Sequence, residues 1–135
     1  MIDSLMVQQQ VKSPWQHMVG VICLNLTHRK QVKAVLPKLF KKYPTPIAFI
    51  RGSSKTQAKM LEPLGMVNVR LSRLKQMSID ILSWDYKDAT QLHGIGKYGS
   101  DSYRIFYKNE IPKNVTDKVL KKYITKYEKK KPNST

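Results

Sequence analysis

The chain has 135 residues, 41% of them hydrophobic and 25% charged, which is enough for one enclosed core and too ordinary for a disordered or fibrous protein. Its charge is not ordinary: 25 Lys and Arg against 9 Asp and Glu give +16, a field that asks for a polyanionic partner, nucleic acid first and an anionic membrane surface second. A single cysteine, Cys23, excludes an internal disulfide, a four-cysteine iron–sulfur cluster and a cysteine-based zinc site, and no apolar run approaches the roughly 20 residues of a membrane span.

In chain order, Ser13-Pro14 has the form of an N-cap followed by a first-turn proline, and Trp15, Met18, Val19, Ile22 and Cys23 then recur at helical spacing, predicting a buried helix. Residues 29–42 repeat the pattern with Val32, Val35, Leu36, Leu39 and Phe40 on one face and Lys33, Lys38, Lys41 and Lys42 elsewhere; Pro37 should bend this helix. Tyr43-Pro44-Thr45-Pro46 reads as a breaker, Ser53-Ser54 opens a short helix to Lys59 or Leu61, and Pro63-Leu64-Gly65 interrupts again. Leu71, Leu74, Met77, Ile79, Ile81 and Leu82 predict a helix over 67–82.

A short approach then leads to a glycine turn at Gly94-Ile95-Gly96, a helix over 97–108, a loop around Pro112 and a terminal helix from Val115. Nothing alternates persistently with period two, so the architecture is all-α: one compact domain over 1–131 and a frayed tail at 132–135. Residues 1–10 lack the pattern of a secretory signal, and an intracellular protein, nuclear in a eukaryote, is expected.

Two places carry chemistry. In Leu92-His93-Gly94-Ile95-Gly96-Lys97-Tyr98-Gly99 the glycines permit a tight hairpin and a close approach of backbone to a ligand, and the main-chain N–H groups opening the next helix suit a phosphate. By itself such a turn is equally a plain interhelical connection. Asp117, in Asn114-Val115-Thr116-Asp117, can be read as the third residue of a helix capped by Asn114, where the helix dipole favours an acid. The three histidines, His17, His28 and His93, do not cluster with a second ligand, and no metal site is expected.

The hairpin, continued by Ser100-Asp101-Ser102-Tyr103-Arg104-Ile105-Phe106, resembles that of the methyl-CpG-binding-domain mismatch glycosylases, the thymine/uracil branch of the helix-hairpin-helix DNA glycosylases. Ser13-Pro14-Trp15, Cys23-Leu24-Asn25-Leu26-Thr27 and Glu62-Pro63-Leu64-Gly65-Met66 resemble the family's segments in the same order. Asp117-Lys118-Val119-Leu120-Lys121-Lys122-Tyr123 resembles its catalytic-aspartate motif, about twenty residues after the hairpin.

The resemblance implies a helix-hairpin-helix glycosylase fold, and an enzyme that flips thymine or uracil out of G·T and G·U mispairs and hydrolyses the N-glycosidic bond with the Asp117 carboxylate. It places Tyr98 at the extruded base, with a core role as the alternative, and assigns the pyrimidine edge to Gln8, with Gln9 as rival. DNA contacts are expected from His93, Gly94, Gly96 and Lys97 of the hairpin, from Leu26, from Lys118, and from Met66 as an apolar wedge, for which packing on the core is the alternative. Leu26 departs from the family's usual arginine.

Bifunctional relatives in the superfamily attack the sugar with a lysine just after the hairpin glycines; that register holds Tyr98 here, Lys97 being one residue early. The resemblance therefore implies a monofunctional enzyme that acts as a monomer on double-stranded DNA, needs no cofactor and leaves an abasic site. Its competitors are a non-catalytic helix-hairpin-helix DNA-binding module and a glycosylase of the same fold for another damaged base.

Overall fold

A computed structural model describes residues 11–25, 27–108, 110, 112, 115–117, 120–122 and 124. The helices bounded within them are α1 (Pro14–Leu24), α2 (Arg29–Lys42), α3 (Pro46–Arg51), α4 (Ser54–Leu61), α5 (Val67–Ile81) and α6 (Lys97–Tyr107), and residues 120–122 and 124 belong to a last, partly described helix. Single 3-10 turns at Glu62–Leu64 and Ala89–Gln91 precede α5 and the glycine hairpin, so the element before the hairpin is one turn rather than a full helix. No strand occurs among the described residues, and no helix there is long and apolar enough to cross a membrane.

Local chemistry sets the helix starts. Ser13 Oγ accepts the Gln16 N–H at 3.1 Å with Pro14 in the first turn, as the sequence predicts. Thr45-Pro46 does the same, Thr45 Oγ1 accepting the Ala48 N–H at 3.1 Å, and so opens α3 inside the stretch read as a breaker. Ser53 caps α4 through the Thr56 N–H.

Helix α1 is the central element, with Trp15, Met18, Val19, Val21, Ile22 and Cys23 all buried, and it packs on α2, α5 and α6. Trp15 lies edge-on to Phe40 of α2 at 5.6 Å, 6.1 Å from Phe49 of α3, and donates its indole N–H to Ser78 Oγ of α5 at 2.9 Å. Burial pushes the Cys23 thiol up to about 12, the mark of a core residue rather than a reactive one.

Helix α5 buries Leu74, Met77 and Ile81, whereas Ile79 and Leu82 are exposed, because they fall off the stripe that meets α1, α3 and α4. Lys33 of α2, predicted to lie off the apolar face, is buried, its aliphatic stem being compatible with cover by neighbours. A second, smaller cluster of Ile105, Val115 and Leu120 attaches the end of the chain, and Tyr98 packs against both this cluster and the main core.

Candidate active site

The segment from Glu62 to Met66 is built as a strained turn. After the 3-10 turn Glu62–Leu64, Gly65 has φ +71° and Met66 φ +47° and ψ +44°, a left-handed conformation costing a non-glycine residue about 1–2 kcal/mol. Met66 is nonetheless 48% exposed, so an apolar side chain is held out from the fold instead of packing on the core.

Arg70 holds that turn. Buried in α5, it donates Nε–H to the Gly65 carbonyl at 2.9 Å, and Nη1 to the carbonyls of Ile22 at 3.2 Å and Cys23 at 3.1 Å; Nη2 bonds Thr27 Oγ1. The Thr27 hydroxyl in turn lies 3.3 Å from the carbonyls of Leu64 and Asn25. Burial lowers the guanidinium pKa from its usual value, and among the described residues no carboxylate pairs with it; the acceptors are main-chain and hydroxyl oxygens. The end of α1, the turn after it and the Met66 turn are thereby one unit.

No motif in the sequence marks Arg70. Its signal is the register of 70 with Leu74, Met77 and Ile81, which sets a charged residue on the buried stripe of α5.

The hairpin lies against the same end of α1. Gly94 has φ +82°, and a Cβ there would sit 3.5 Å from Ile22 and 3.7 Å from the Arg73 stem. Leu92 and Ile95 are buried beneath it. The turn is anchored by Asp80 at the end of α5, whose Oδ2 accepts the His93 N–H at 2.9 Å while Oδ1 accepts from Gln76. His93 itself is exposed.

Gly99 is required by packing, since a Cβ would come within 2.6 Å of Ile95 Cγ2 and 3.0 Å of Val21 Cγ1. Gly96 is different: its φ is −110°, and a Cβ would meet no described atom within 4 Å. The protein itself does not need glycine there, whereas a ligand lying on the backbone would.

No described side chain caps α6, in contrast to α1, α3 and α4, which leaves its N-terminus without the side-chain acceptor those helices have. Lys97, expected at a phosphate, is half exposed and pairs at 3.0 Å with Asp101, one helical turn on, whose side chain is only 8% exposed.

Asp117 is partly exposed and opens the last helix as its cap. Its Oδ2 accepts the Leu120 N–H at 2.9 Å and its carbonyl the Lys121 N–H at 3.0 Å. The helical residues thus begin after Asp117, not at Val115, which is buried in the small cluster with Leu120 and Ile105. Oδ1 has no partner among the described residues.

Tyr98 packs against that same cluster, so the tyrosine and the aspartate share one support. The hairpin and the Met66 turn share another, the end of α1. Gln8, Leu26, Lys118 and Asn114 lie outside the described residues.

No family model matches the chain. It is 28% identical over 103 residues to the methyl-CpG-binding domain protein 4-like protein of Arabidopsis thaliana, covering 76% of this chain and 23% of that protein. It is also 28% identical over 94 residues to the thymine/uracil-DNA glycosylase of Pyrobaculum aerophilum, covering 64% of this chain and 41% of that one. Among solved structures, a thermostable thymine-DNA glycosylase superposes with a TM-score of 0.69 at 21% identity over 78% of this chain and 52% of its own.

This is the helix-hairpin-helix glycosylase fold. Endonuclease III bound non-covalently to DNA also shares it, with a TM-score of 0.64 at 15% identity over 73% of this chain and 50% of that one. A trapped covalent intermediate of endonuclease III with DNA superposes equally well, so the helix-hairpin-helix fold accommodates covalent as well as non-covalent complexes. The chain spans less than half the length of these curated relatives and about half that of the solved structures.

Proposed function

We propose that this chain is a monofunctional DNA glycosylase that removes thymine or uracil from G·T and G·U mispairs and leaves an abasic site. The observation that carries the reading is the Asp117 carboxylate: one oxygen is fixed by the Leu120 N–H, the other has no partner among the described residues, and the support beneath it also carries Tyr98. The relatives named for thymine/uracil excision supply the substrate class.

In this mechanism the C1′–N1 bond breaks and its electron pair leaves with the base. Positive charge grows on the deoxyribose, and the fixed carboxylate stabilises it more than it stabilises the ground state. Water adds at C1′ and gives up its proton, for which Oδ1 of Asp117 is the acceptor at hand. Because the target base is reached only outside the stack, Met66 fills the vacated space, and the N–H groups after Gly96 hold the strand's phosphates. Tyr98 faces the flipped pyrimidine, with Gln8 reading its edge, and Leu26 and Lys118 complete the DNA contacts.

The absence of lyase chemistry is supported by Lys97, the lysine nearest the hairpin glycines. An amine nucleophile has to be free to attack, and this one is engaged by the buried Asp101. The reaction requires no cofactor, and the protein acts as an intracellular monomer on duplex DNA, in the nucleus if its source is a eukaryote. Single-turnover assays on end-labelled duplexes with G·T, G·U and paired controls test the reading. Strand breaks appearing only after alkali are expected from the mispairs; breaks without alkali would establish a lyase, and tight binding without release would leave a DNA-binding module.

A further inference from the structure

The hairpin and the Met66 turn crowd the C-terminal end of α1, at Ile22 and Cys23. The other end of α1 carries a different surface. There Trp15 meets Phe49, Phe49 meets Tyr43 edge-on at 5.6 Å, and Gly52 is so close to Tyr43 and Gln57 that a Cβ would lie 2.4 Å from each. These contacts draw together the C-terminal end of α2, the C-terminal end of α3 and the start of α4. Lys42, Arg51 and Lys55 flank the contact in sequence, and Lys38 and Lys41 lie on the last turns of α2; all five are exposed. None makes an ion pair or hydrogen bond among the described residues.

No acid lies in the segments that form this surface. Between Asp3 and Glu62 the sequence contains ten Lys and Arg and not one Asp or Glu, whereas the site segments from Glu62 onward carry eight of the nine acids. The part of α5 that packs here is free of acids as far as Ile79, and its Lys75 donates to the carbonyls of Phe49, Ile50 and Gly52, adding a further cation at the end of α3. A soluble surface does not require such segregation; mixed signs serve solubility equally well.

The 14 residues of α2 separate this end from the Thr27–Leu64 contact beside the Met66 turn by roughly 20 Å. Duplex DNA is too stiff to bend around a domain of that size within one helical turn. We infer that Lys38, Lys41, Lys42, Arg51 and Lys55 form a second DNA-binding surface, which takes the phosphate backbone of a duplex segment other than the one at the hairpin. Such a chain engages a new segment before leaving the old one, and searches by transfer between them.

Native mass spectrometry with an excess of a duplex about one helical turn long, too short to span both surfaces, tests this without any need for base release. The expected species is one chain with two duplexes. The variant carrying K38Q, K41Q, K42Q, R51Q and K55Q, its fold checked by circular dichroism, should stop at one duplex per chain and release base from a single mispaired duplex within about twofold of the parent. Saturation of the parent at one duplex, a variant that still takes two, or a variant whose single-duplex binding falls by about tenfold or more would each overturn the inference. If neither protein releases base but the stoichiometries differ as stated, the second surface stands and the glycosylase reading falls.

Discussion

Arg70 shows how much a single side chain fixes in this molecule. Its guanidinium serves the Ile22, Cys23 and Gly65 carbonyls and the Thr27 hydroxyl, all from a buried position. Arg70→Leu leaves the Ile22 and Cys23 carbonyls, whose bonds to it are buried, without a donor, and a loss of about 3 kcal/mol or more in urea unfolding is expected. Met66 bears on activity rather than stability, since its side chain stands largely clear of the core. Met66→Ala should leave the melting temperature nearly unchanged and slow base release from G·T about tenfold; an unchanged rate would remove the wedge role.

Elements were legible in the sequence where a cap and an apolar stripe coincided. Ser13-Pro14 opens α1 and the stripe of α2 ends at Lys42, both as predicted. Thr45-Pro46 carries the same cap signature as Ser13-Pro14, but the neighbouring Pro44 made the stretch read as a breaker, and α3 is too short to show a period. The hairpin residues were legible because glycine spacing is a local signal, whereas their anchors Asp80 and Arg70 act across long sequence separations and leave no local pattern. The sequence reads Asp117 as the third residue of a helix capped by Asn114, whereas in the structure Asp117 is itself the cap.

The glycines of the hairpin segment separate folding from binding. Gly99→Ala forces a Cβ against Ile95 and Val21, and a destabilisation of about 1–3 kcal/mol is expected by thermal melting. Gly96→Ala meets no described atom and should fold as the parent does, while its duplex affinity, measured by fluorescence anisotropy, falls. Equal stability losses for the two would contradict this division.

At the scale of the whole molecule, the buried His17 ties stability to pH. It sits 2.8 Å from Ser102 through Nε2 and among the rings of Tyr103, Phe106 and Tyr107, and burial lowers its pKa from 6.5 to about 3. The unfolded chain therefore binds a proton that the folded one refuses. Stability is complete above about pH 6.5 and declines as pH falls towards 3, by at most ~1.4 kcal/mol per unit from this group. Melting curves between pH 7 and 4.5 should show the decline, and His17→Leu should flatten it.

The charge is likewise a property of the whole, but it is unevenly laid out: eight of the nine acids keep to the half that carries the hairpin and Asp117. Composition revealed the +16 and its call for a polyanion; only the packing of α2, α3 and α4 shows that the acid-free cations gather at the end away from the Met66 turn.

The central claim is that the Asp117 carboxylate performs the chemistry, and Asp117→Asn tests it most directly. Asparagine caps a helix as well as aspartate does, so the local structure should survive. Single-turnover release from a G·U duplex should fall by about 100-fold or more, with binding of the same duplex within a few-fold of the parent. Release at the parental rate would contradict the account.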